Sequence, residues 1–324
     1  MRELDAARYA AKYLDDTALP DGDFSLTEIG AADCALPPRA ARSHKYSFGR
    51  ALVIAGSRGF SGAPVLAANA CERSGAGLTQ LFVPEGIYPV AAARCDGAVV
   101  TPLTETATGC ISASALPEIL FQLERAKACA IGPGLGTGED AAALVRVVLR
   151  QAACPLVLDA DALTICAREP SLLDACRVPL ILTPHEGEFR RLGGVLSKGR
   201  LAGALGFTAA HPAPILILKG YGTLVCRGRD AAVNPTGGPA MAKGGTGDVL
   251  CGILTALLAQ RFDPWFSARA AVYLHGLAGD LAAAELGEYA LAPSDLIRYL
   301  PQALQRVAES RGARQDADRE DRQR

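Results

Sequence analysis

The chain has 324 residues, half of them hydrophobic and 21% charged, with a formal net charge of −1. That length accommodates one large α/β domain or two ordinary ones, and the near-neutral balance argues against a nucleic-acid or membrane-surface partner. Its ten cysteines show no C-x-x-C pair and no metal-ligand spacing, so they read as small buried hydrophobes in a reducing compartment, not as a disulfide framework.

The N-terminal stretch "MRELDAARYAAKYLDD" is too charged for a signal peptide, and no apolar run reaches the about 18 residues of a membrane span. A cytoplasmic location is expected. Residues 1–40 form an extension of no evident role, with a helix over 3–14. Apolar runs that suit buried strands then recur at 51–56, 78–83, 128–132, 155–160, 179–183 and 215–219. Helical patterns such as "APVLAANACERSG" (63–75) and "EDAAALVRVVLRQA" (139–152) separate most of them. This alternation predicts an α/β fold: a mostly parallel central sheet with helices on both faces. The last 16 residues carry ten charges and are expected to be a solvated, disordered tail.

In such sheets ligands gather at the C-terminal strand ends. The unusual residues lie there: "GSRGFSGA" (56–63), "GPGLGTG" (132–138), "DADAL" (159–163), "TPHEGE" (183–188) and "KGYGT" (219–223). Each also has a plainer reading. His185 could be an ordinary polar residue at a strand end, Asp159 and Asp161 could cap the next helix, and Lys219 could be a snorkelling lysine. The glycines of 132–138 could merely turn the chain. Convergence of all these loops on one rim is what argues for a site.

"AKGGTGDVLCGIL" (242–254) is the sharpest feature. Apolar residues at 249, 250, 253, 254, 257 and 258 form a helical stripe, so a helix begins at about Asp248. A glycine turn feeding a helix N-terminus aims unpaired N–H groups and the positive dipole end at one point, which suits phosphate. Neither the nucleoside-triphosphate loop nor the dinucleotide fingerprint fits this spacing. Asp248 reads either as an N-cap or as an acid placed against a phosphate site.

The motifs "SGAPVLAANACERSGAGL" (61–78), "GPGLG" (132–136), "VLDADAL" (157–163), "TPHEGEFRRL" (183–192), "LKGYGT" (218–223) and "NPTGGPAMAKGGTGDVLCG" (234–252) resemble, in order and spacing, the ADP-dependent NAD(P)H-hydrate dehydratases. That family has the ribokinase-like fold. Glu186 departs from it, standing where proline is usual, and Tyr46 and Ala55 stand where glycine is frequent. The resemblance implies a stand-alone dehydratase domain over 41–307, working with a separate NAD(P)H-hydrate epimerase and often tetrameric. It implies phosphorylation of the C6 hydroxyl of S-epimer hydrated NADH or NADPH by ADP, then loss of phosphate, with AMP as by-product and Mg2+ as the expected cofactor.

By the same resemblance Asp248 is the catalytic base. Gly244, Gly245, Thr246 and Gly247 form the anion hole. Lys219, Gly220, Tyr221, Gly222, Thr223 and Gly247 hold the nucleotide. Ala63, Gly134 or Gly136, and His185 line the hydrated dinucleotide together with Asp248. The metal ligands are left open, with Glu188 one carboxylate available. A vitamin or sugar kinase of the same fold is the nearest alternative, and a catalytically idle nucleotide-binding or regulatory protein is a more distant one.

Overall fold

A computed structural model describes residues 1–13 and 22–323, with side chains through Arg311. Among the described residues eleven strands form one sheet, in the order β1-β2-β11-β10-β9-β8-β7-β6-β3-β4-β5. In chain order these are β1 Arg2–Glu3, β2 Ser25–Glu28, β3 Arg50–Ile54, β4 Leu78–Pro84, β5 Val99–Leu103 and β6 Ala128–Ile131. They continue as β7 Leu156–Leu158, β8 Leu180–Leu182, β9 Pro214–Leu218, β10 Leu224–Arg227 and β11 Asp230–Val233. From β5 through β9 every neighbouring pair is parallel. β10 is antiparallel to both β9 and β11, and β2 joins β11 in parallel.

Strict alternation within each central strand builds two cores. Leu52, Ile54, Cys129, Ile131, Leu156 and Leu158 face one side with the helices Glu139–Gln151, Asp161–Arg168 and Arg200–Ala210. Ala51, Ala128, Ala130, Val157 and Ile181 face the other, against the helices Thr246–Ala259, Pro264–Leu286 and Pro293–Gln323. The period of two sends successive residues to opposite faces, and both are covered, so the strands read as continuous apolar runs.

Three expectations change. The helix Thr246–Ala259 is buried all round from Val249 to Ala259, not along one stripe. Its small residues explain this: a β-carbon on Gly252 would lie 2.2 Å from the Ala67 carbonyl oxygen, so the helix Gly62–Arg73 packs directly on its backbone. The N-terminal extension is part of the sheet, supplying β1, β2 and the helix Ala6–Tyr13; residue 14 of the expected helix lies outside the described residues. The charged C-terminal stretch continues the last helix to Gln323 instead of ending as an irregular tail. Its Arg, Glu, Gln and Ala residues are good helix formers, and no proline follows Pro301 to stop it.

Chain order reverses between β3 and β6, and at such a switch point a crevice opens beyond the strand ends. The loops after these strands meet there: the Gly56 amide donates to the Pro133 carbonyl at 2.8 Å, and Ser57 Oγ to the Gly134 carbonyl at 2.8 Å. On the same rim, towards β9, the Lys219 amide donates to the Pro184 carbonyl at 2.8 Å. The rim therefore carries every loop that the sequence picks out.

Candidate active site

The helix after the glycine turn begins at Thr246, with Gly245 as its N-cap in the left-handed region at φ 97°. A side chain there would be strained, and its β-carbon would come within 2.9 Å of Leu66. Asp248 is consequently the third residue of the helix and makes no capping bond, which removes the reading of it as an N-cap. Among the described residues, the amides of Gly244, Gly245, Thr246, Gly247 and Asp248 donate to no carbonyl. They form the open donor set that an anion requires. His275, half-buried beside the turn, donates from Nε2 to the Thr246 carbonyl at 2.9 Å. Burial lowers its pKa to about 4, so it is a neutral imidazole that fixes the turn.

Behind the turn lies a charge cluster assembled across the sheet. Asp159, 2% exposed at the end of β7, accepts from Thr183 Oγ1 at 2.8 Å and from Lys219 Nζ at 2.9 Å. It caps no helix; the residue at that boundary is Ala160, held at φ 49°. Such a left-handed conformation in a non-glycine residue is a strain found at ligand-binding rims. Lys219 Nζ also stands 3.8 Å from Glu188 Oε2. Burial pulls its pKa down, but Asp159 and Glu188 outweigh burial and the net shift is upward. A permanent cation thus sits 3.2 Å from the position a β-carbon on Gly247 would take. Lys219 is aimed at the anion turn and does not snorkel to solvent.

The Asp248 pKa also moves upward, but in a carboxyl that shift favours the neutral form. Burial, then repulsion from Asp159 and Asp161 against partial relief from Lys219, raise its pKa to about 7. A carboxylate beside unpaired amides and a lysine, yet poised at neutral pH, is matched to accepting a proton.

These groups line a cavity of about 640 Å³. His185, Lys219, Gly220, Tyr221 and Thr223 form one wall, and the turn from Gly244 to Asp248 forms another. Asn234, Thr236, Gly237 and His275 complete it. Asn234 is fixed by Nδ2 bonds to the Thr236 and Val272 carbonyls, both 3.0 Å, while the Gly237 amide donates to Asp280 at 3.0 Å. Gly222 lies in the same turn but not on the wall: Tyr13 covers it, with ring carbon Cδ1 2.4 Å from where a β-carbon would be.

Ala63, Gly134 and Gly136 also lie outside this cavity, in the neighbouring crevice between the β3 and β6 loops. A β-carbon on Gly134 would be 3.5 Å from Ala63 Cβ. The Gly136 amide donates to Asp161 at 2.8 Å, so Asp161 anchors this loop from the helix that follows Asp159. Gly134 and Gly136 sit at φ 60° and 87°, and that turn geometry is the evident reason for both glycines.

His185 caps the helix Glu186–Arg191, its Nδ1 accepting from the amides of Gly187 at 3.0 Å and Glu188 at 3.2 Å. It also faces the cavity. Glu188, the carboxylate available for a metal, is otherwise committed: Oε2 accepts from the His185 amide at 2.8 Å and faces Lys219. Among the described residues no group of three or more His, Cys, Asp or Glu side chains could hold a metal ion. His275 and Asp280 escape sequence reasoning because each acts through a backbone contact formed only on folding.

Comparisons with known proteins agree with this geometry. The sequence profile of a family described as NAD(P)H-hydrate dehydratase matches residues 51–302. A bifunctional NAD(P)H-hydrate repair enzyme of Moorella thermoacetica is 39% identical over 293 residues, covering 88% of this chain and 55% of that protein. One from Gloeobacter violaceus is 41% identical over 256 residues, covering 78% and 49%. The chain thus spans about half the length of these curated relatives. Among solved structures, the ADP/ATP-dependent NAD(P)H-hydrate dehydratase of Bacillus subtilis, co-crystallised with ATP/Mg2+, has a TM-score of 0.71 and 33% identity, covering 85% of this chain and 96% of that one. A ribokinase-like superfamily protein of Enterococcus faecalis reaches 0.77 at 29% identity, covering 87% and 96%. With the mostly parallel sheet, the open glycine turn and the profile match across most of its length, the chain belongs to the NAD(P)H-hydrate dehydratase family and has the ribokinase-like fold.

Proposed function

We propose that the protein restores NADH and NADPH from the S epimers of their hydrates, using ADP as phosphoryl donor and releasing AMP and phosphate. The observation that carries this reading is Asp248: a carboxyl with its pKa raised to about 7, beside an unpaired-amide turn and Lys219, on one cavity wall. The adenylate lies against Lys219, Gly220, Tyr221 and Thr223. The phosphoryl group in transit lies against the amides of Gly244–Gly247, where preorganised donors stabilise developing charge. The hydrated dinucleotide extends into the crevice of Ala63, Gly134 and Gly136, with His185 at its edge.

Asp248 takes the proton from the C6 hydroxyl as that oxygen attacks phosphorus and the bond to AMP breaks. The C6–O bond then breaks, phosphate departs with its electrons, and loss of a C5 proton regenerates the dihydropyridine. The protein supplies position and charge neutralisation, the main requirements of phosphoryl transfer. Mg2+ suits the site as an ion held chiefly by phosphate oxygens and water. Asp159 Oδ2, which lies 3.9 Å from the β-carbon position of Gly247, is the carboxylate oxygen facing the turn. When bound, the ion would neutralise phosphate charge.

Incubation with hydrated NADH and ADP, following the return of dihydronicotinamide absorbance, tests this reading. Return of absorbance supports it. Phosphorylation of a vitamin or sugar hydroxyl without that return would favour the kinase alternative. A partner epimerase, tetramerisation and a cytoplasmic location fit the same reading.

A further inference from the structure

Arg200 opens the helix Arg200–Ala210, away from the cavity wall, and its side chain is only 14% exposed. Its guanidinium is spent on one turn. Nη1 donates to the carbonyls of Tyr221 and Gly222, and Nη2 donates to that of Leu218 at 3.2 Å. Nε stands 3.3 Å from Glu186 Oε1. Gly220, at φ 149°, lets the guanidinium press against its bare Cα; a β-carbon would lie 2.7 Å from Nη2. The fork thus ties the carbonyls of Leu218, at the end of β9, and of Tyr221 and Gly222, in the turn that follows, to the residue after His185.

We propose that Arg200 is a positioning residue that holds the 218–222 turn in its nucleotide-binding shape and, through Glu186, couples that turn to the His185 loop. This rests on the assignment of the turn to the nucleotide. A planar fork can satisfy several fixed carbonyls at once, whereas an ammonium is a point donor. With its donors so directed, the guanidinium has no fork left for phosphate, so its effect passes through the turn. Tyr13 also packs on Gly222, its ring 5.9 Å from that of Tyr221, so two elements hold the turn. Loss of the fork frees the turn from one of these grips.

The test is calorimetric titration of the intact chain with ADP and separately with hydrated NADH, alongside thermal melting. Arg200→Gln should weaken ADP at least about tenfold, as expected for losing hydrogen bonds from a charged donor, while hydrated NADH weakens far less. Arg200→Lys should recover only part of the loss. Glu186→Gln should weaken ADP about two- to fivefold, the range of a partly exposed ion pair. In the Arg200→Gln background it should add nothing, because both changes act through one contact. Unchanged ADP affinity in Arg200→Gln would overturn the proposal, as would equal loss of both ligands with a collapsed melting temperature. Additive effects of the two substitutions would overturn the coupling. Failure of the wild-type chain to bind ADP would instead overturn the nucleotide assignment, and this inference with it.

Discussion

At the residue scale the decisive group is Asp248. Asp248→Asn preserves shape but cannot accept a proton at neutral pH, so turnover of hydrated NADH should fall by about 10²–10⁴-fold. ADP affinity should hold or tighten, because a charge beside the phosphates has gone. With a pKa of about 7, the wild-type kcat/KM should rise roughly tenfold per pH unit below neutrality and level off above it. The folded pKa lies above the ordinary carboxylate value of 3.8. Asp248 therefore costs no stability below about pH 4, and its cost grows as pH rises through 7. Denaturant titrations should find Asp248→Asn more stable than wild type at pH 8, on the order of 2–4 kcal/mol, with the difference vanishing near pH 4. Lys219→Met would strand Asp159, which is 2% exposed; a loss of about 3–5 kcal/mol is expected near neutral pH. Because Lys219 also holds the Asp248 pKa down, the midpoint of any residual pH–rate profile should move upward.

At the element scale, the site depends on how closely the helices Gly62–Arg73 and Thr246–Ala259 approach. Gly252 faces the Ala67 carbonyl with no room for a methyl group. Gly252→Ala should cost about 1–3 kcal/mol by overpacking, read as a lower denaturation midpoint, and should reduce turnover by displacing the first turn that carries Asp248. Elements buried on both faces were legible in the sequence, since β3, β4, β6, β7, β8 and β9 are apolar runs bounded by glycine, proline or charge. Their neighbours were not. β5 contains Pro102 and is largely uncovered at the sheet edge. β10 and β11 are four residues each, too short to show a period. β2 forms only because β11 offers it an edge.

Across the whole molecule, loops from distant parts of the chain converge on one rim, and fold class forecasts that rim without any side chain. The glycine turn and its acid were readable because their chemistry is local. The Asp159–Lys219 pair spans 60 residues and the Thr246–His275 bond spans 29; such contacts exist only once the sheet has ordered its strands. The same distance separates the glycine turn from the groups that set the behaviour of its acid: the Asp248 pKa is raised by burial and by Asp159, not by its own motif. The most direct test is a stoichiometric assay with hydrated NADH and ADP, measuring NADH, AMP and phosphate together for the wild type and for Asp248→Asn. The expected result is equimolar formation of all three by the wild type and a loss of at least about 10²-fold in the variant. Return of NADH without AMP, or undiminished turnover by Asp248→Asn, would contradict the account.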